Sequence, residues 1–164
     1  MAVGTRTLER PPIRPAVQGE AETLTDIAIR SKAHWGYSAD FMAACRHELV
    51  VSPSEIVDPD RIYLVCEADS SVVGYVALAR IDGSTWEVDA LFVEPAHIGQ
   101  GHGRKLMAQA IAAAKTRDAT KVLIQSDPYA ADFYAAFGCT RVGEKESGSI
   151  PGRFLPMFEL RFQP

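Results

Sequence analysis

The spacing of apolar residues changes character along the chain. "PPIRPAV" predicts a short opening strand, after which the period becomes helical. "EAETLTDIAIRSKAHW" puts Leu24, Ile27, Ala28 and Ser31 on one helix face. "SADFMAACRHEL" predicts a second helix, with Ser38 as N-cap and Phe41, Met42, Cys45 and Leu49 facing inward. "VSPSEIVDPD" has the composition of a turn-rich connector. Strand-like runs follow in "RIYLVCEAD", "SVVGYVALARI" and "TWEVDALFV", separated by turn residues. "GRKLMAQAIAAAKTR" is strongly amphipathic, with Leu106, Met107, Ala110, Ile111 and Ala114 as its buried stripe. "KVLIQS" predicts a buried strand and "PYAADFYAAFG" a helix stopped by Gly138. "CTRVGEKES" and "FLPMFELRF" complete the pattern as strands. The order β-α-α-β-β-β-α-β-α-β-β predicts an α/β fold of mixed α+β type, a mixed sheet carrying helices.

Length and charge narrow this picture. The 164 residues suit one domain, here expected over residues 11–164 behind a loose tail at 1–10. A net charge of −4 gives no global reason to expect nucleic acid as a partner. No apolar run is long enough to span a membrane, and "MAVGTRTLERPP" lacks a signal-type apolar stretch. Cys45, Cys66 and Cys139 have neither disulfide-framework nor zinc spacing, so they are expected as reduced core residues of a cytoplasmic protein. His34, His47, His97 and His102 lack paired ligand spacing, so no metal is expected.

The segment "VEPAHIGQGHGRKL", Val93 to Leu106, carries the most informative chemistry. It joins a strand to a helix whose first N–H groups have no partner within the helix and face the positive end of its dipole. Glycines there let successive amides converge on one point, which makes a phosphate cradle; a tight strand-to-helix loop would use them too. A P-loop is excluded because Arg104 and Lys105, not Lys-Ser/Thr, follow Gly103. A dinucleotide fingerprint starting at Gly99 would need glycine where Arg104 stands.

In this stretch, with its proline followed by Gly-x-Gly at the start of a helix, the sequence resembles the GNAT superfamily of N-acetyltransferases. A second motif supports the resemblance. "DPYAADFYAAFGC", Asp127 to Cys139, aligns Ala130, Phe133, Tyr134 and Gly138 with the family's Asn-x-x-Ala-x-x-Phe/Leu-Tyr-x-x-x-Gly-Phe. Three positions depart: Ile98 stands for Arg/Gln, Asp127 for Asn and Cys139 for the final Phe. The resemblance covers roughly residues 12–162. It implies a GNAT-like fold with a mostly antiparallel central sheet, and acetyl-CoA as cosubstrate. The pyrophosphate would lie on the amides of Ile98, Gly99, Gly101, His102, Gly103 and Arg104. The pantetheine amides would lie along the strand backbone of Leu91, Phe92 and Val93.

For acetyl transfer, the amine must lose a proton and the leaving thiolate must be stabilised. The resemblance makes Tyr134 the candidate acid; its helix neighbours Ala130, Ala131 and Gly138 are small, though a core tyrosine fits the spacing as well. With ordinary values near 10 for tyrosine and 8.5 for a thiol, full proton transfer would be uphill by roughly 2 kcal/mol. The resemblance makes Glu87 the candidate base, since it lies fourteen residues before Gly101, where some members of the family carry a glutamate that deprotonates the amine. Asp89 is its rival. Strand alternation puts Glu87, Asp89, Leu91 and Val93 on one face unless a bulge intervenes. Asp127 reads first as an N-cap with Pro128 after it and second as a contact to CoA. Trp35 and Tyr37 either line the acceptor groove, as that region does in the family, or anchor two helices. The loop "SGSIPGRFLP" joins the last two strands, a connection that the resemblance places beside the acceptor, so Arg153 is expected to favour an acidic group there; a solvated surface arginine is the alternative. The expected activity is direct acetyl transfer to a primary amine, small-molecule or peptide, with a homodimer left open. The alternative is a CoA-binding sensor of the same fold with little turnover.

Overall fold

In the computed structural model, which describes residues 13–162, seven strands form one sheet. They are β1 (Ile13–Pro15), β2 (Arg61–Ala68), β3 (Ser71–Arg80), β4 (Thr85–Val93), β5 (Lys121–Gln125), β6 (Thr140–Glu146) and β7 (Phe154–Arg161). Their order is β1-β2-β3-β4-β5-β7-β6. All neighbours are antiparallel except β4 and β5, which are parallel and joined by a crossover helix. The helices are α1 (Ala21–Ala33), α2 (Ala39–Leu49), α3 (Pro53–Ile56), α4 (His102–Lys115) and α5 (Ala131–Phe137). The element order and mixed, mostly antiparallel sheet follow the sequence expectation. The tail at 1–10 lies outside the described residues.

Each face of the sheet carries its own apolar cluster. On one, Leu106, Met107, Ala110, Ile111 and Ala114 of α4 pack against Val76, Leu78, Trp86 and Val122. On the other, Leu24, Ile27 and Ala28 of α1 and Cys45 and Leu49 of α2 pack against Val65, Tyr75 and Ala77. Burying a leucine such as Leu24 or Leu106 stabilises the fold by about 1.5–3 kcal/mol, so these stripes anchor α1 and α4. Ser38 caps α2 by accepting from the Phe41 amide at 3.1 Å.

The turn-rich connector after α2 contains the short helix α3. Its cause is a capping box: Ser52 Oγ accepts from the Glu55 amide, Glu55 Oε1 accepts from the Ser52 amide, and Pro53 begins the helix.

Two irregularities of β4 shape the site. Ala77 pairs with Ala90 but Leu78 pairs with Val88, so Asp89 is an extra residue, a β-bulge. In addition, β5 accompanies β4 only from Thr85 to Val88. From Ala90 to Val93 the strand is paired with β3 on one edge and, among the described residues, has no strand on the other. The bulge corrects the expected alternation. Before it, Trp86 and Val88 pack on the α4 side; beyond it Leu91 does so, while Ala90 and Phe92 pack on the α1 side. Glu87 and Leu91 therefore do not share a face, because the extra residue inverts the alternation between them.

Candidate active site

Where β4 leaves β5, a groove of about 880 Å³ opens. Its walls come from β4, the start of α4, α5, the α1–α2 side and the β6–β7 loop. At one end lie Leu91, Phe92 and Val93, whose free backbone edge can hydrogen-bond an extended ligand.

Ile98, Gly99, Gly101, His102, Gly103 and Arg104 continue this end of the groove. Gly99 and Gly101 have φ of +83° and +85°, the left-handed region that side chains strain to adopt. Gly101 is the N-cap of α4, and the first in-helix bond there is from the Lys105 amide to its carbonyl. The amides of His102, Gly103 and Arg104 thus have no intrahelical acceptor. A Cβ on Gly99 or Gly101 would meet nothing within 4 Å, so it is their positive φ, not crowding, that calls for glycine. The residues fit a pyrophosphate. Ile98 is 39% exposed and adds no polar side chain. The Arg104 guanidinium rests over the Phe137 ring at 5.7 Å.

Glu87 and Asp89 both line the groove but differ in their partners. Asp89 is bound to Arg61 at 2.5 Å, and Arg61 also reaches Glu55 at 3.3 Å. Glu87 has no such partner among the described residues. Desolvation first, and the neighbouring Asp89 charge second, raise its pKa above the ordinary glutamate value, with Lys145 pulling weakly the other way. A half-buried carboxyl without an ion-pair partner among the described residues holds a proton more readily than an ordinary glutamate.

Tyr134 of α5 is almost fully buried, packed against Phe133 and Phe158, yet it reaches the groove. Burial pushes its pKa well above the ordinary tyrosine value. It is suited to donating a hydrogen bond rather than releasing its proton.

The other end is built from distant parts of the chain. Asp127 N-caps the turn Pro128–Ala130, accepting from the Tyr129 amide at 3.0 Å. Its carboxylate also accepts from Tyr37 Oη at 2.9 Å, from Lys32 Nζ at 3.2 Å and from Arg153 Nη2 at 3.4 Å. Burial opposes its charge, but the Tyr129 amide, the Tyr37 hydroxyl and Lys32 outweigh it and hold the carboxyl below its ordinary value. Three residues singled out from the sequence, Tyr37, Asp127 and Arg153, are therefore one network. Tyr37 gives its hydroxyl to Asp127 and stacks on Phe41 at 4.1 Å. Trp35 does line the groove, stacked on Tyr129 at 5.1 Å, and both rings are exposed. Lys32 and Tyr129 escaped the sequence reading. Lys32 is one of two basic residues in the last turn of α1, and Tyr129 lies in the turn that Asp127 caps.

Among the described residues, no group of three or more His, Cys, Asp or Glu is arranged to hold a metal ion, and no helix is long and apolar enough to cross a membrane.

Residues 25–139 match the family model described as Acetyltransferase (GNAT) family. The chain belongs to the GNAT acetyltransferase family and is a transferase enzyme of that class. No match is found among curated protein sequences. Solved structures share the fold. The PaiA N-acetyltransferase of Thermoplasma acidophilum, in complex with coenzyme A, is 21% identical with a TM-score of 0.75, over 92% of this chain and 98% of that one. An aminoglycoside 6'-N-acetyltransferase complexed with coenzyme A is 16% identical with a TM-score of 0.70, over 93% and 97%. The yncA protein of Salmonella typhimurium, with its cofactor acetyl-CoA, is 21% identical with a TM-score of 0.66, over 93% and 94%.

Proposed function

We propose that this chain moves the acetyl group of acetyl-CoA directly to a primary amine. The observation that carries the reading is the parting of β4 from β5. It opens one groove onto the glycine cradle, the free β4 backbone, Tyr134 and Glu87. Bound acetyl-CoA supplies an activated acyl group with a thiolate leaving group. The amides of His102, Gly103 and Arg104 hold its pyrophosphate, and the β4 backbone from Leu91 to Val93 holds its pantetheine arm. Glu87 takes the proton of the arriving ammonium, directly or through water, and its raised pKa makes it a stronger base than an ordinary glutamate. Asp89 is held by Arg61 and tunes Glu87 instead of replacing it. Tyr134 donates a hydrogen bond to the sulfur as charge develops there. Since burial raises the tyrosine pKa, complete proton transfer is uphill by more than the roughly 2 kcal/mol of the free groups.

The buried free thiols of Cys45, Cys66 and Cys139 fit a reducing, cytoplasmic setting. The experiment is thiol release from acetyl-CoA against a panel of amines, with an aminoglycoside included because one structural neighbour is named for that activity. Release that depends on the amine supports the reading. Coenzyme A binding with no release for any amine would point to the sensor instead.

A further inference from the structure

The wall around Asp127 has more positive charge than it balances. Lys32 and Arg153 share this one carboxylate, and all three side chains are largely covered, with 14%, 18% and 19% exposure respectively. Largely buried cations call for counter-charge at close range. Glu48 of α2 lines the same groove, but it makes no ion pair with either cation, and its side chain is 43% exposed. Among the described residues the network is therefore one negative charge short.

It is also rigid, and its donors are not used up. The Arg153 guanidinium lies over the rings of Phe41 at 4.8 Å and Tyr37 at 5.2 Å. Its Nη2 donates to Tyr37 Oη at 2.7 Å and to Asp127. Its Nη1 and Nε make no hydrogen bond among the described residues. Among the described residues Lys32 Nζ makes one bond, to Asp127, of the three it can donate. The loop that carries Arg153 is closed on itself. The Ser147 amide donates to the Arg153 carbonyl at 2.7 Å, Ser147 Oγ accepts from the Ile150 amide, and Glu146 accepts from the Gly152 amide. Lys32 and Arg153 both line the groove that Glu87 lines.

We propose that Lys32 and Arg153 form an acceptor subsite for a carboxylate, so that the preferred acceptor is an amine bearing an acid group, such as an amino acid. The reacting amine lies toward Glu87, and the acid supplies the missing negative charge at Lys32 and Arg153. This rests on the acetyltransferase reading of the groove and assigns its substrate class.

The test uses matched probes, 4-aminobutyrate and butylamine, with 1,4-diaminobutane as the doubly cationic member. Each is titrated calorimetrically into the protein saturated with coenzyme A, and each is assayed as an acceptor. The wild type should bind 4-aminobutyrate about 10- to 100-fold more tightly than butylamine, the range for hydrogen bonds to a charged group. Lys32→Met and Arg153→Gln should each erase most of that advantage, weakening 4-aminobutyrate far more than butylamine. Arg153→Lys, which keeps the charge, should restore part of it. Equal binding of 4-aminobutyrate and butylamine, tighter binding of 1,4-diaminobutane, or equal losses for all probes in the variants would overturn the subsite. The calorimetric preference does not depend on turnover. A carboxylate preference with no acetyl transfer would therefore keep the subsite and sink the transferase reading, and transfer without the preference would do the reverse.

Discussion

The two ends of the groove are made by different means. The end proposed for the coenzyme is backbone, from one continuous stretch between Leu91 and Arg104, and its key property is where amides point. The end proposed for the acceptor is side chains from α1, the α1–α2 turn, the end of β5 and the β6–β7 loop. Its contacts join residues 90, 95 and 116 positions apart. A backbone site should tolerate changes of side chain except where conformation depends on glycine. A side-chain site should fail one contact at a time. Tyr134 and Glu87, where the two ends meet, should tolerate least.

The largest effects are therefore expected at that junction. Tyr134→Phe keeps the ring packing and removes the donor, and kcat should fall by about 10²–10³-fold with coenzyme A affinity nearly unchanged. A wild-type rate would make Tyr134 a core residue only. Glu87→Gln should cost about 10²–10⁴-fold where the free amine is still protonated, with the deficit shrinking at pH values where the amine is already neutral. A deficit independent of pH would remove its role as base.

Next comes the backbone end, tested by two glycines two residues apart. Gly101→Val forces a β-branched residue into φ +85°, a strain of about 1–3 kcal/mol. Coenzyme A binding should weaken by about 5- to 100-fold as the start of α4 shifts. Gly103→Ala adds a Cβ 3.6 Å from the Phe133 ring, an ordinary contact without backbone strain. Its affinity should stay within about 3-fold of wild type, below the ~1 kcal/mol level of a lost hydrogen bond. Equal losses in both variants, measured by calorimetry, would mean crowding decides affinity and amide direction does not.

The same division explains what the sequence revealed. Helical stripes such as Leu106 to Ala114, and the glycines before α4, are local patterns, and they appeared where expected. The capping box of α3 was equally local, in Ser52 and Glu55, but was masked by the turn-like composition around it. The bulge at Asp89 is a mismatch between two strands, so neither strand alone announces it. Lys32 acquires meaning only when Asp127 is brought beside it. Arg153 and Tyr37 were legible as candidates because arginine in a long loop and aromatic residues between helices are unusual; that they share Asp127 was not.

A smaller effect distinguishes the two carboxylates. Asp89 raises the pKa of Glu87, and Arg61 is occupied by Asp89. Asp89→Asn removes the negative charge and frees Arg61, and both changes favour ionised Glu87. The acid limb of the kcat/KM profile should move to lower pH, with activity retained. A limb that vanishes in Asp89→Asn and persists in Glu87→Gln would exchange their roles.

The smallest effect is expected at Ile98, where the family commonly has Arg or Gln. If backbone amides supply most of the pyrophosphate affinity, restoring a charge beside them should help only modestly. Ile98 is 39% exposed at the open mouth of the cradle, so an arginine there would stay solvated. An exposed ion pair with the pyrophosphate in such a place is worth about 0.2–1 kcal/mol, so Ile98→Arg should tighten coenzyme A binding about 1.5- to 5-fold. Screening sets the control. The Debye length falls to about 3 Å at 1 M salt, so the gain should disappear there, while the uncharged Ile98→Gln should change little at any ionic strength. A gain near 100-fold for Ile98→Arg, surviving 1 M salt, would show that a side chain can dominate at this position, and the backbone account of the coenzyme end would fail.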